Sequence, residues 1–161
     1  MPPTPDPYLR IRSLAGTPVD EICACRGDTA VILVYRLTPN PFACFSCNGE
    51  VSPERIPADA RLIDSVADWC RVYGALYGLW LDSGVYEEFG RTQLAAPGSP
   101  VNRQGLALSR TLRAFGATYY WWFNENPLPM PCPLCGSECV TVGRHSVCER
   151  CLIVNDPSEG L

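Results

Sequence analysis

The stretches Cys132-Pro-Leu-Cys135-Gly136 and Cys148-Glu-Arg-Cys151 decide how the end of this chain folds. Two thiolates of one Cys-x-x-Cys pair can reach a single ion, and Gly136 lets the backbone turn tightly behind the second thiolate. Between the pairs, residues 138–142 and 145–147 read as two short strands around a turn. We therefore predict a zinc ribbon, in which one structural zinc ion is held by Cys132, Cys135, Cys148 and Cys151.

Two further residues inside the predicted hairpin are of ligand type, Cys139 and His145. Because four better-spaced thiolates are present, we expect Cys139 to be a small apolar strand residue. His145 is the chain's only histidine, and we expect it to be an exposed hairpin residue rather than a substitute ligand.

A second cysteine cluster lies near the start of the chain. It flanks a strongly apolar strand predicted over 29–37 and a proline-containing turn, and its members are Cys23, Cys25, Cys44 and Cys47. Only one residue separates Cys23 from Cys25, so a loop would have to bring these two side chains onto one ion. The alternatives are a second zinc site and a set of buried or free thiols. Four cysteines within 25 residues favour zinc slightly.

Hydrophobic periodicity predicts helices at about 59–82, 85–95 and 100–115. Cys70 lies on the wide apolar face of the first helix, so we expect a core thiol there. After the third helix, residues 117–123 read as an aromatic strand. Strict alternation would put Tyr119, Trp121 and Phe123 on one side of it, and Tyr120 and Trp122 on the other.

The third helix also carries three arginines, Arg103, Arg110 and Arg113, within an arc of about 80° opposite its inner face of Val101, Gly105, Leu108, Leu112 and Phe115. Three aligned guanidinium groups could hold phosphates or an acidic partner. A solvated face that pairs with nearby carboxylates is the more ordinary interpretation of the same pattern.

These elements predict an α+β fold: a small sheet with packed helices, a C-terminal zinc ribbon and an N-terminal zinc knuckle. Residues 1–126 would form the core with the first cysteine cluster, and residues 127–161 the ribbon. One zinc ion is expected and a second is allowed.

Composition indicates where the protein acts and argues against a membrane-spanning protein. The 161 residues carry a net charge of -4 and ten cysteines, and all 13 basic residues are arginine, as in a GC-rich bacterial genome. The start resembles no signal peptide, so we expect a reducing cytoplasm, where clustered cysteines bind metal. No apolar run approaches the roughly 20 residues of a membrane span.

Several stretches together resemble a known family: 76–89, 99–110, the aromatic run 119–123 and the two C-terminal cysteine pairs. They are similar to a family of uncharacterised bacterial zinc-ribbon-containing proteins for which nucleic-acid binding has been suggested. The resemblance covers most of the chain from about Cys23 onwards and implies the same four ribbon ligands. It supplies no catalytic residues.

The sequence favours a binding protein over an enzyme, because it lacks phosphate loops, HExxH and nucleophile-elbow motifs. One class is a protein-interaction module with a basic partner, such as an adaptor or an immunity protein that neutralises a toxin. The other is a nucleic-acid-binding module using the ribbon, the arginine face and the aromatic strand. No small-molecule substrate is identified. The negative charge gives the protein partner a slight advantage.

Overall fold

Six short strands form one mixed sheet in the computed structural model, which describes residues 1–13 and 16–158. The strands are β1 Val31–Leu33, β2 Phe42–Cys44, β3 Thr118–Trp121, β4 Val140–Val142, β5 His145–Cys148 and β6 Ile153–Val154. In the order β2-β1-β3-β6-β5-β4, strands β1, β3 and β6 run parallel, whereas β2, β4 and β5 are each antiparallel to their neighbours. The predicted α+β class is confirmed.

The sheet continues across the predicted boundary at residue 126, because β6 of the ribbon segment pairs with β3 of the core. That division into two units stays a prediction, and residues 159–161 of the predicted ribbon lie outside the described residues. The sequence did not predict β6, which has only two residues, and β1 is shorter than the predicted strand over 29–37.

The three helices are α1 Ala60–Asp82, α2 Glu87–Ala95 and α3 Pro100–Leu112, close to their predicted bounds. Asp59 caps α1 by accepting a hydrogen bond from the Leu62 amide at 2.8 Å. Ser99 caps α3 in the same way, with Pro100 in the first helical position. Short 3-10 helices lie at Leu9–Ile11, Val19–Glu21, Pro53–Arg55 and Arg113–Phe115.

One inner-face prediction for α3 is wrong. Val101, Gly105, Leu108 and Leu112 face the core, but Phe115 is an exposed side chain. The predicted helix 100–115 ends at Leu112, and Arg113–Phe115 is a 3-10 turn. The tighter turn changes the angle between successive side chains, so the helical period no longer carries Phe115 inward.

The side chains of β3 alternate between the two faces of the sheet only as far as the strand extends. Tyr120 and Trp122 lie in the main core under the helices, whereas Tyr119 and Trp121 pack on the opposite sheet face. Phe123 was predicted to join that opposite face but packs against the main core, edge-on to Trp80 at 5.0 Å. The strand ends at Trp121, so its period of two does not extend to Phe123.

The face opposite the helices has its own small core, formed by Ile32, Val34, Ala43, Val147 and Val154. Phe45, just after edge strand β2, closes it by stacking on Tyr119 and by contacting His145, each at a ring distance of 4.8 Å. Since His145 begins β5, near the opposite edge, the sheet must curl strongly to bring these two rings together.

A buried polar network fixes the helices to the sheet. The Asn102 amide of α3 donates to the carbonyls of Leu94 and Ala96 at 2.8 Å each, which closes the end of α2. Its oxygen accepts a hydrogen bond from the Tyr120 hydroxyl of β3 at 2.9 Å. The Trp69 indole of α1 donates to the Val101 carbonyl at 3.1 Å.

We expect Asn102→Ala to lower the free energy of unfolding by about 2–4 kcal/mol, because it removes the partner of the buried Tyr120 hydroxyl and of the Leu94 carbonyl. The Ala96 carbonyl keeps its hydrogen bond from the Ser99 amide. Urea denaturation followed by circular dichroism measures the change. Gln104→Ala, an exposed position on the same helix, is the matched control and should change it by about 0.5 kcal/mol or less. Equal stability of the Asn102→Ala and wild-type proteins would contradict this role.

Candidate metal centres

The eight cysteines singled out in the sequence form two separate clusters in the structure. Within each cluster the four sulfur atoms all lie within 4.8 Å of one another. One cluster, the N-terminal centre, contains Cys23, Cys25, Cys44 and Cys47; the other, the ribbon centre, contains Cys132, Cys135, Cys148 and Cys151. The four sulfur ligands of a tetrahedral zinc site lie about 3.8 Å apart, given Zn–S bonds of about 2.3 Å. Each cluster could therefore hold a zinc ion.

Three Cys-x-x-Cys turns share one backbone geometry. In each, the amide of the residue after the second cysteine donates to the carbonyl of the first cysteine at 2.7–2.8 Å. That residue has a positive φ, and the three are Asn48 (64°), Gly136 (75°) and Leu152 (60°). The tight turn predicted at Gly136 is thus present. Leu152 is unusual, because a leucine in this region costs roughly 1–2 kcal/mol. The structure holds a strained turn behind the ribbon thiolates.

The Cys23-x-Cys25 segment reaches its centre in a different way. The Cys23 amide donates to the Glu50 carbonyl at 2.8 Å, so this segment lies beside the chain that follows Cys47. Gly49 permits this approach, because a Cβ there would lie 2.9 Å from the Cys23 nitrogen. Because only one residue separates Cys23 from Cys25, a loop was needed to bring both sulfur atoms to the centre. Backbone pairing with Glu50 holds that loop in place.

Hydrogen-bond donors surround the sulfur atoms. Backbone amides of Gly49, Leu134 and Cys151 each donate at 3.4 Å to Cys47, Cys132 and Cys148 respectively. The Arg55 guanidinium donates to Cys23 Sγ at 3.4 Å. Such donors stabilise thiolates, the form that binds metal.

The thiols within a cluster affect one another's ionisation. Burial opposes ionisation of Cys44, but hydrogen bonds from the Cys47 amide and the Cys23 thiol outweigh it and lower its pKa to about 6. Hydrogen bonds from Ser137 lower the pKa of Cys135 to about 6. By contrast, hydrogen bonds with Cys47 and Cys23 raise the pKa of Cys25 to about 12. One thiolate forms readily in each cluster, and a bound cation would allow the remaining thiols to lose their protons.

The other two cysteines lie outside both clusters. Cys70 is buried on α1, where burial raises its pKa to about 11, so the predicted core thiol is confirmed. Cys139 is half-buried, just before β4. Neither belongs to a metal-ligand group among the described residues.

The prediction that His145 is exposed is wrong. Its ring is 2 % exposed and lies between Phe45 and Trp121, because the curl of the sheet closes over the start of β5. Its Nδ1 contacts Asp156 Oδ2 at 2.7 Å, while Asp156 Oδ1 accepts from the Ser146 amide at 2.7 Å. The buried Nε2 has no hydrogen-bond partner in the described part of the chain. The period of two in the predicted hairpin did not indicate that His145 would be buried.

The three arginines of the predicted face lie on α3 and the turn after it. Arg103 and Arg110 are exposed and Arg113 is half-buried. Within residues 1–13 and 16–158, none of them forms an ion pair or a side-chain hydrogen bond, so the expected pairing with carboxylates is not seen there. The arginine that does contact a metal centre, Arg55, was not anticipated from the sequence.

Comparisons with protein-family models, with curated proteins and with solved structures gave no match. The family resemblance of the sequence therefore stays a prediction. Of the helices in the described residues, none has both the length and the apolar character that crossing a membrane requires.

For the ribbon centre, we expect Cys148→Ser, like Cys132→Ser, to remove about one metal ion per chain and to unfold the ribbon segment, because three thiolates bind metal much less tightly than four. Plasma mass spectrometry of the purified protein measures the metal. Cys139→Ser, in the same segment but outside the cluster, should keep the wild-type content. An unchanged content in Cys148→Ser would exclude this centre.

For the N-terminal centre, Cys44→Ser should lower the metal content from about two ions per chain to about one. Cys70→Ser, which changes another buried thiol, should retain both ions. If the wild-type protein already contains only one ion, and Cys148→Ser removes it, the N-terminal cluster does not bind metal.

Proposed function

We propose that this chain is a non-enzymatic, zinc-stabilised binding protein that acts through a basic protein partner. Four thiolates in tetrahedral arrangement suit zinc or an iron–sulfur cluster, and we propose zinc at both centres. A zinc ion with four protein ligands has no open position for substrate, so its role would be to stabilise the fold.

The observation that carries the proposal is an apolar patch at the corner between α1 and α2. Four large side chains within nine residues are exposed there: Leu81 (52 %), Val85 (81 %), Tyr86 (60 %) and Phe89 (53 %). We call these four residues the corner patch. Isolated exposed apolar residues are ordinary on protein surfaces, whereas a group with a polar rim is typical of a protein-docking site.

The corner patch is held by a well-ordered turn. The Tyr86 amide donates to Ser83 Oγ at 2.9 Å, and Gly84 adopts the positive φ of 71° that the turn needs. Gly90 allows α2 to cross α1 closely, because a Cβ there would lie 2.7 Å from the Trp80 nitrogen. A partner would therefore meet a preorganised surface, which lowers the entropy cost of binding.

The rim of the corner patch is acidic. Asp82, Glu87 and Glu88 are exposed beside it. Glu88 pairs with Arg91 at 2.7 Å, but Asp82 and Glu87 form no ion pair with any described residue. The chain is acidic overall, and each zinc–thiolate centre would add about two negative charges relative to four neutral thiols. This charge favours a basic partner and speeds its association.

Within this class, an adaptor and an immunity protein that neutralises a basic toxin both fit the surface. The proposed setting is the bacterial cytoplasm, where cysteines remain reduced.

A photo-crosslinking amino acid in place of Tyr86 tests the proposal, with the same substitution at exposed Thr111 on α3 as its control. We expect a basic protein to be crosslinked from position 86 and not from position 111. Calorimetry with the purified partner should then show at least a tenfold loss of affinity for Val85→Ser/Phe89→Ser, roughly 1.4 kcal/mol or more. Leu128→Ser, an equally exposed apolar site, should bind like the wild type. Unchanged affinity in the double variant would exclude the corner patch.

The second candidate function is nucleic-acid binding, favoured by the absence of carboxylate partners for Arg103 and Arg110 among the described residues and by the family resemblance. Fluorescence anisotropy with single- and double-stranded DNA and RNA, across a salt series, separates the two candidates. Binding that weakens steeply with salt and is lost when Arg103, Arg110 and Arg113 become Gln would establish it. If no nucleic acid binds even at low salt, nucleic-acid binding is excluded and binding to a protein partner remains as the proposed function.

A further inference from the structure

The sheet has one end where its parallel strands begin and another where they finish, and these two ends differ in chemistry. Cys44 ends β2 opposite the start of β1, and Cys148 ends β5 opposite the start of β6. Both metal centres therefore lie at the amino ends of the parallel strands. The carboxyl ends of β1, β3 and β6 meet at the other end of the sheet, which we call the carboxyl edge. The loops that leave these strands there are residues 34–37, 122–125 and 155–158. In open sheets, ligands bind outside the carboxyl ends of parallel strands.

A cavity of about 610 Å³ opens at this carboxyl edge, between the loops and the second half of α1. Six aromatic side chains line it: Tyr35, Tyr73, Tyr77, Trp80, Trp121 and Phe123. Tyr77 lies 5.4 Å from Tyr35 and 5.1 Å from Trp80 between ring centres, and Trp80 lies 5.0 Å from Phe123, so these four rings form a continuous wall. We call this cavity the aromatic chamber. Its volume lies within the range that suits drug-sized ligands.

A polar cavity adjoins the aromatic chamber and shares Arg36, Trp121, Asn124 and Ser158 with it. Arg36 is half-buried and donates to the Asn48 carbonyl at 2.5 Å and to the Asn48 side chain. Arg144 also lines this polar cavity. Neither guanidinium has a carboxylate within ion-pair distance in the described ranges of the chain.

The acidic groups nearby are already engaged. Glu125 accepts from the Trp80 indole at 2.9 Å and from Arg91 at 2.7 Å. Asp156 is held by His145 and by the Ser146 amide. Both carboxylates are thus hydrogen-bonded within the chain, whereas the positive charges of Arg36 and Arg144 have no carboxylate partner among the described residues.

We propose that the carboxyl edge of the sheet binds a small molecule that combines a planar aromatic ring with a phosphate or carboxylate group. The ring stacks in the aromatic chamber, where face-to-edge contacts with tyrosine and tryptophan are favourable. The anion lies at the shared mouth, where Arg36 and Arg144 supply positive charge and guanidinium N–H donors. This site is distinct from the corner patch and goes beyond the proposed function.

A cationic ligand is the natural alternative, because aromatic walls also bind quaternary ammonium groups. The paired state of Glu125 and the uncompensated charge of Arg36 oppose it. A neutral aromatic ligand would use the chamber but leave the two arginines without a role.

The test is calorimetry on the metal-replete protein, with quenching of its tryptophan fluorescence by the probes that contain no indole as a second readout. The probes are AMP, adenosine and inorganic phosphate for the phosphate class, indole-3-acetate and indole for the carboxylate class, and phenyltrimethylammonium as the cation. We expect AMP or indole-3-acetate to bind at least tenfold more tightly than its uncharged counterpart. Which of the two binds identifies the anion class.

Arg36→Gln should remove this tenfold advantage, as should Arg144→Gln, which lies on an exposed turn. Because Arg36 donates to Asn48 and Arg144 donates to Cys47, the metal content of both variants is measured alongside binding. Arg61→Gln, an exposed arginine on the first turn of α1, is the control and should bind like the wild type. The proposal is overturned if the neutral rings or the cation bind as tightly as the anionic probes. It is equally overturned if no probe binds below about 1 mM, or if Arg36→Gln and Arg144→Gln both retain the advantage while keeping their metal.

Discussion

This fold depends on one constraint: four thiols must converge at each of two points beside the amino ends of the parallel strands. The strands that meet there have only two to four residues, too few to form a stable sheet from their own hydrogen bonds. Each centre ties two distant segments together: the residues before β1 to the end of β2, and the Cys132 turn to the connection between β5 and β6. A bound ion would offset both the repulsion between thiolates and the strain at Leu152.

The two centres are not independent of each other. Phe45 lies inside the Cys44–Cys47 turn, yet its ring packs on His145 of the ribbon hairpin. Arg144, at the tip of that hairpin, donates to the Cys47 carbonyl at 3.4 Å. The turn that holds one metal centre thus closes the small core behind the other. These contacts add to the β3–β6 pairing that joins the ribbon segment to the sheet of the core.

Cysteine spacing was enough to single out the eight cysteines that form the two clusters, and helical periodicity was enough to predict the three helices. They were not enough for features that depend on the curl of the sheet. His145 is buried because Phe45 reaches it from the opposite edge, and no local pattern encodes that distance. Phe115 and Phe123 were misplaced because each lies just beyond the end of the element whose period was used. Strand β6 is too short for any periodicity to reveal.

The two proposed binding surfaces differ in how they relate to the metal centres. The corner patch depends on the crossing of α1 and α2 at Gly90, and the helices are fixed to the sheet by Asn102 and Tyr120. The rings of the aromatic chamber lie at the carboxyl edge, but the arginines at its mouth contact the N-terminal centre: Arg36 donates to Asn48, and Arg144 donates to the Cys47 carbonyl. Metal loss at that centre would therefore displace the two arginines as well as loosen the sheet. Variants in the corner patch can be interpreted without reference to the zinc. Variants at the arginines can be interpreted only when their metal content is measured alongside their binding.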